Sequence, residues 1–184
     1  MESDSLHWSI VIQDPASLLG WLMIITAMAS LAMGMIMTAV QPFFFLPDNS
    51  SFKMMQLELP RKLDPFRNIV TTASEKVKGA IRLQLSLDYI FMVFAYGFMF
   101  FTGALIIHLA EKHNGSLGSL KVLLIAPFVA WTTDIIENVL ISSSLSRYSP
   151  TKTRVLYFVS LTKWTIVYLY GTFFLLLFLW WVFV

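Results

Sequence analysis

Cysteine is absent from the 184 residues, and its absence excludes disulfide bonds, thiolate metal ligands and cysteine nucleophiles. Charge is also scarce, because only 13% of the residues are Asp, Glu, Lys or Arg, about half the usual content of a soluble protein. The sequence contains no glycine-rich phosphate loop, no nucleophile elbow and no His-Glu-x-x-His motif. Hydrophobic residues instead make up 57% of the chain, which is typical of an integral membrane protein.

Four apolar runs are long enough to cross a membrane, which takes about 20 helical residues. We expect transmembrane helices over residues 17–41, 84–110, 120–143 and 155–183. Residues 1–13 contain no Lys or Arg and therefore lack the basic region of a secretory signal, so we expect the first run to remain in the membrane. The connections are short enough for one antiparallel four-helix bundle, and residues 1–184 are predicted to form a single all-α, polytopic membrane domain.

A fifth, amphipathic helix is predicted over residues 64–82, after a polar loop that spans residues 48–63. Asp64-Pro65 has the form of a helix start, an N-cap followed by proline. Apolar residues then recur at helical spacing. The opposite face carries the membrane-surface candidates Arg67, Lys76, Lys78 and Arg82. Such a helix suits the plane of an anionic membrane surface. Packing of its apolar face on the bundle is the alternative, and the two are compatible.

Basic residues are concentrated on one side of the predicted membrane. The side reached after the first span holds Lys53, Arg61, Lys62, Arg67, Lys76, Lys78, Arg82, Arg147, Lys152 and Arg154. The other side holds only Lys112 and Lys121. The positive-inside rule therefore predicts that the basic loops and the amphipathic interfacial helix are cytoplasmic and that both termini are not.

The third span contains Asp134, Glu137 and Asn138, which share one helix face because they are spaced i, i+3 and i+4. A charge at the centre of a membrane costs about 2.5–3.5 kcal/mol by insertion scales, so these acids need a partner or a proton. Asp88 and Lys163 on the neighbouring spans fall in the same half of the membrane, nearer the basic loops. We expect Lys163 to pair with Glu137 or Asp134, and Asp88 to bond to Asn138 or to a helix end.

Two interpretations of this polar layer remain open. It can be structural, either because Lys163 reaches the surface and Asp88 caps its helix, or because the layer connects the helices by hydrogen bonds worth about 0.6 kcal/mol each. It can also be a ligand or proton site, because ionisable residues inside a membrane often mark function. We predict no metal and no cofactor, since His7, His108 and His113 fall near the opposite face, away from Asp134.

Several short motifs resemble a pattern in a largely uncharacterised family of small bacterial four-helix integral membrane proteins. They are Leu57-Glu58-Leu59, Leu87-Asp88-Tyr89-Ile90-Phe91 with Tyr96 following, Asp134-x-x-Glu137-Asn138, and Lys163-Trp164. The resemblance covers roughly residues 57–164, and the first span and the Phe-rich C-terminal end match the pattern less well. It implies a four-helix membrane fold in which Asp88, Asp134, Glu137, Asn138 and Lys163 act as one set. It implies no activity.

The lack of catalytic motifs favours a non-enzymatic protein, either an accessory subunit of a larger membrane complex or a bundle that binds a lipid or another hydrophobic ligand. The expected partners are membrane lipids and other membrane-protein subunits, and no nucleic acid. One alternative is a small membrane enzyme or proton-linked carrier in which Asp134 or Glu137 handles protons. Another is a pocket for hydrophobic amines, with Asp134 as counter-ion and aromatic rings around it.

Overall fold

The computed structural model describes residues 14–114 and 118–183, and its elements are helical. Four long helices cover Pro15–Thr38 (α1), Glu75–Asn114 (α4), Ala126–Ser146 (α5) and Pro150–Phe183 (α6). Two short helices, Met55–Glu58 (α2) and Leu63–Thr72 (α3), lie between α1 and α4. A 3₁₀ segment, Gly118–Ile125, leads directly into α5. The predicted all-α fold is confirmed: four helices long and apolar enough to span a membrane pack antiparallel.

Helix α1 begins at Pro15, directly after its N-cap Asp14, and ends at Thr38. The carboxylate of Asp14 accepts hydrogen bonds from the backbone N–H groups of Ala16 and Ser17, both at 3.3 Å, which satisfies two donors of the first turn. The helix packs along α4, where a Cβ on Gly97 would lie 3.4 Å from Thr26 Cγ2. No residue of α1 is fully buried, so α1 lies at the periphery of the bundle.

The loop predicted to be polar is instead folded onto one end of the bundle. Asp48 accepts hydrogen bonds from the Ser50 backbone N–H (2.9 Å) and hydroxyl (2.6 Å), and Asn49 has a φ of 62°. This turn reverses the chain and buries apolar side chains on both of its sides: Phe44, Leu46, Phe52, Met54 and Leu57. The segment therefore covers the end of the bundle where α1 and α5 end and where α4 and α6 begin. We call this end, together with the chain between α1 and α4, the basic end of the bundle.

The helix predicted over residues 64–82 is divided in two. Helix α3 starts at Leu63, so Asp64 lies in its first turn and is not its N-cap. Ala73 is extended, with ψ of 131°, and α4 then runs from Glu75 through the whole second span. The apolar face of α3 is buried in the core by Phe66, Ile69 and Val70. The apolar face of α3 therefore packs on the bundle, which is one of the two compatible surroundings expected for it.

The core consists of three apolar clusters along the bundle axis. At the basic end, α2, α3 and the preceding chain pack against Ile141, Leu145 and Leu156. The middle cluster contains Met92, Tyr96 and Ala130, and the far cluster contains Ile107, Tyr170 and Phe174. Pro127 lies in the first turn of α5, where the 3₁₀ segment becomes α-helix. Between the first two clusters lies a layer of buried polar side chains.

Candidate functional site

The centre of the polar layer is one ammonium held between two carboxylates. Lys163 Nζ on α6 lies 2.8 Å from Asp134 Oδ1 and 2.8 Å from Glu137 Oε1, both on α5. The three side chains are only 7%, 8% and 1% exposed. The contact predicted for Lys163 is therefore present, with both acids, and the side chain does not extend to the surface. Because desolvation of three charged groups is costly, this contact depends on its close geometry.

Two further hydrogen bonds join α4 to the layer. The Tyr96 hydroxyl donates to Asp134 Oδ2 at 2.8 Å, so both oxygens of Asp134 are bonded. Asn138 Nδ2 donates to Asp88 Oδ2 at 2.8 Å. Asp88 lies 13 residues after Glu75, well inside α4, so it does not cap that helix. The structure thus brings all five predicted residues together, each with a partner on a neighbouring helix.

Glu58 also belongs to the layer, although it is not among the site residues predicted from the sequence. Helix α2 carries it to the bundle, and the Ser160 hydroxyl on α6 donates a hydrogen bond to its backbone carbonyl. Burial raises the pKa of the Glu58 carboxyl to about 7; the ammonium of Lys163 opposes this rise, and the carboxylates of Glu137, Asp88 and Asp134 add to it. The sequence signal that could have identified Glu58 is an acid between two leucines in Leu57-Glu58-Leu59, the first motif of the resemblance.

Tyr96 is the second residue of the layer that is not among the predicted site residues. It follows Asp88 at two four-residue steps, Asp88, Met92 and Tyr96, which place the three side chains along one side of α4. Met92 and Tyr96 are both buried. A tyrosine in line with an intramembrane acid is the pattern that would have identified it.

Acidic groups outnumber basic groups in the layer. The single ammonium of Lys163 contacts the carboxylates of Asp134 and Glu137, and the carboxyl groups of Glu58 and Asp88 lie close enough to interact with it electrostatically. Glu137 Oε2 is buried and has no hydrogen-bond partner among the described residues. A buried excess of carboxyl groups is unfavourable in a low dielectric when all of them are ionised. Within residues 14–114 and 118–183, no three His, Asp or Glu side chains have the arrangement of a metal site.

The four membrane-surface candidates have different environments. Arg67 lies over the Tyr148 ring, 5.8 Å from its centroid, and Lys78 forms a 3.0 Å ion pair with Glu75. Lys76 and Arg82 are exposed. His108 is partly buried on α4, whereas His7 and the side chain of His113 lie outside what the structure describes.

A second candidate site is a cavity of about 410 Å³ that lies toward the other end of the bundle; we call it the lateral pocket. Its walls come from Met23 of α1, residues 98–109 of α4 and residues 170–178 of α6. They are almost entirely apolar. Thr102 Oγ1 is buried in this wall and has no hydrogen-bond partner in the described part of the chain. The Tyr170 hydroxyl donates to the Met99 carbonyl at 3.0 Å, which closes one side.

No family model matches the sequence, and no curated protein or solved structure matches it. The resemblance drawn from short motifs therefore stays a prediction, and the function has to be argued from the two sites described above.

Proposed function

We propose that this protein is a non-enzymatic membrane protein that binds a lipid-like molecule in the lateral pocket. The observation that supports this proposal is a cavity of about 410 Å³ between three membrane-spanning helices. Its volume lies within the range of about 300–1,000 Å³ that is usual for small-molecule sites. Few polar groups in an apolar wall are also usual for such sites.

The lining defines the chemistry of the ligand. Apolar side chains such as Met23, Leu105 and Phe174 suit a hydrocarbon chain or ring. The hydroxyl of Thr102 is the polar group that lacks a partner, and leaving it unpaired costs about 1–3 kcal/mol. Because the Thr102 oxygen is buried in the wall and is not exposed to the pocket, the lining specifies only that the ligand is a hydrophobic molecule.

Filling the pocket tests the proposal. A Cβ on Gly171, which lines the pocket, would meet no atom within 4 Å, so Gly171→Leu is a substitution that can occupy the pocket from this wall. Gly34→Leu on α1 is the matched control, because a Cβ there also meets nothing and Gly34 does not line the pocket. The lipid that remains bound after extensive detergent exchange is counted by native mass spectrometry. Gly171→Leu should lose it, and Gly34→Leu should retain it.

A second variant changes the wall of the pocket. Thr102→Val removes the unpaired buried hydroxyl, so the ligand-free protein should become more stable. Equal retention in the wild type, Gly171→Leu and Gly34→Leu would mean that the bound lipid is adventitious, and the proposal would then be wrong.

The proposal includes an accessory role beside other membrane subunits, with the basic loops in the cytoplasm. The outer face of α1 supports a subunit contact, because large apolar side chains such as Trp21, Ile25, Met28 and Met35 are more than half exposed. The ten cations of the basic loops support the orientation. Purification in mild detergent tests the partner: a second protein in fixed ratio is expected, and a single peak of monomer mass argues against it.

A proton-linked carrier is the second candidate, supported by Glu137 Oε2, which is buried without a partner among the described residues, beside an excess of carboxyl groups. Glu137→Gln should abolish proton flux into proteoliposomes, measured with a pH-sensitive dye, while the protein still folds. Glu75→Gln is the control, because the Glu75 side chain is 79% exposed and lies at the start of α4, outside the layer. The amine pocket has weaker support, since an amine would have to displace Lys163 or Tyr96 from Asp134.

A further inference from the structure

A basic groove lies at the basic end of the bundle and consists of two adjoining hollows of about 500 and 260 Å³. Pro60 and Arg61 line both hollows and lie at their junction. The first hollow also contains Lys53 and Lys62, and the second contains Arg154. Four cationic side chains, three from the chain before α3 and one from α6, therefore surround one continuous surface depression.

These four cations have no counter-ion in the described part of the chain. None of them takes part in an ion pair there, and no Asp or Glu lines either hollow. Other lysines near this end differ, because Lys78 pairs with Glu75 and Lys152 Nζ lies 3.4 Å from the Ser143 hydroxyl. Like charges grouped without acids repel one another and create a positive potential. An anion is the occupant that relieves this repulsion.

The position of the groove indicates which anion. Arg154 lies in the second turn of α6, at the start of a span that runs from Pro150 to Trp180. Tyr157 and Phe158 follow it in the lining, and Phe158 is 64% exposed. Aromatic residues beside cations at the end of a span are typical of the headgroup level of a membrane. The groove therefore has cations where lipid phosphates lie and apolar side chains where acyl chains begin.

We propose that the basic groove binds the phosphate of an anionic phospholipid, with Arg61 at the centre of the site. A guanidinium can donate two parallel hydrogen bonds to a phosphate, and Lys53, Lys62 and Arg154 add charge around it. This inference goes beyond the lateral pocket, which is lined by residues near the other end of α4 and α6. Either site can fail its test without affecting the other.

The test removes two cations from the groove and two from elsewhere on the same end. Arg61→Gln with Lys62→Gln changes two exposed groove residues, and Lys76→Gln with Arg82→Gln removes the same charge from the exposed surface of α4. Each protein, in a neutral detergent, receives equal amounts of phosphatidylglycerol and phosphatidylcholine with identical chains. Native mass spectrometry then counts the lipids that each protein retains.

Wild-type protein should prefer phosphatidylglycerol by about tenfold, the scale expected for two or more cation–headgroup contacts. The groove variant should lose this preference and the α4 variant should keep it. An equal loss in both variants would indicate a diffuse surface charge and overturn the proposal, as would an unchanged preference in the groove variant. In a separate arm, the melting temperature of the wild-type protein is measured with millimolar inorganic phosphate alone and with phosphatidylglycerol alone. If phosphate raises the melting temperature as much as phosphatidylglycerol does, the lipid assignment is wrong and free phosphate is the ligand.

Discussion

Lys163 Nζ lies 2.8 Å from Glu137 Oε1, and the Glu137 side chain is only 1% exposed. This pair joins α6 to α5 at one definite register, because a shift of either helix would leave an acid and an ammonium buried without partners. The same ammonium reaches Asp134, so one cation satisfies two acids on successive turns of α5. The layer is therefore sensitive to any change that removes this cation.

Removing that cation should strongly destabilise the protein. Lys163→Met leaves Asp134 and Glu137 buried without a counter-ion, and we expect a loss of about 3–5 kcal/mol. Lys121→Met is the control, because it breaks a 2.9 Å pair with Glu111 in which the lysine is 61% exposed, and it should cost no more than about 1 kcal/mol. Denaturant unfolding in detergent measures both. Similar losses would mean that the buried pair contributes no more than the exposed one.

Neutralising the acids in the same chain separates a structural role from a functional one. Lys163→Met combined with Asp134→Asn and Glu137→Gln should recover part of the lost stability, because no uncompensated charge remains at these three positions. Recovery of stability without recovery of ligand binding or proton flux would assign the layer a role beyond packing.

The hydroxyl of Tyr96 should stabilise the layer measurably. Tyr96→Phe removes the 2.8 Å hydrogen bond to Asp134 and is expected to cost about 1.5–3 kcal/mol, the range for hydrogen bonds to charged groups. Tyr89→Phe is the control, because Tyr89 is 40% exposed on the same helix. A double-mutant cycle with Asp134→Asn should show coupling between the two residues, and additive losses would contradict the direct bond.

Stability should fall as pH rises from about 4.5 to about 7, and Glu58 is the cause. The ordinary pKa of a glutamate side chain is 4.5, and that of Glu58 in the folded protein is about 7, so within this window the folded chain holds a proton that the unfolded chain has lost. Folding then takes up a proton, and each rise in pH disfavours it until both states are ionised above pH 7. The total is at most on the order of 3 kcal/mol, because Glu58 is partly exposed and each pKa unit corresponds to about 1.36 kcal/mol.

Melting temperatures between pH 5 and pH 8 measure this dependence. Glu58→Gln should flatten the curve. Asp48→Asn in the same loop should leave it unchanged, because hydrogen bonds from Ser50 lower the pKa of Asp48, so that residue titrates below the measured range. A slope that persists in Glu58→Gln would assign the proton to another group of the layer.

Gly103 should tolerate no side chain, because the Tyr170 hydroxyl approaches the backbone of α4 at that position. A Cβ there would collide with this hydroxyl and would lie 3.1 Å from both Leu124 Cδ2 and Phe174 Cζ. Gly103→Ala is expected to lower stability by about 1–3 kcal/mol through overpacking. Gly79→Ala on the same helix meets open space and should raise stability by about 0.5–1 kcal/mol, so unfolding of the two variants should shift in opposite directions.

The spans could be predicted because their signal is local. About 20 apolar residues in a row leave few structures in which every backbone group is bonded in a membrane, so length and composition were sufficient. The spacing of Asp134, Glu137 and Asn138 placed them on one helix face, and counting residues from the span ends brought Lys163 to their depth. The contact of Lys163 with these acids therefore followed from counting residues along the helices, whereas the distances and the choice of partner atoms did not.

The chain before α3 could not be predicted because its structure depends on distant partners. Phe44, Phe52 and Leu57 are buried against residues of α5 and α6 about 100 positions later, which no local pattern reveals. The same holds for the position of Glu58, which depends on a hydrogen bond from Ser160. The break after Thr72 was not predicted either, because Ala73 carries no helix-ending signal. The local signal for a new helix is Ser74, whose hydroxyl accepts a hydrogen bond from the Val77 backbone N–H at 3.4 Å.

The order of the residues was enough to specify the four apolar helices, their alternating direction and the level of the charged residues along them, since each of these follows from residue counts and the rise of a helix. Which groups meet depended on the packing of the helices. Packing selected both Asp134 and Glu137 for Lys163, brought Tyr96 and Glu58 to the layer, and collected four cations in one groove. The physical reason is that hydrogen bonds and ion pairs depend on distances of a few ångströms between helices, and these distances arise only when the helices pack.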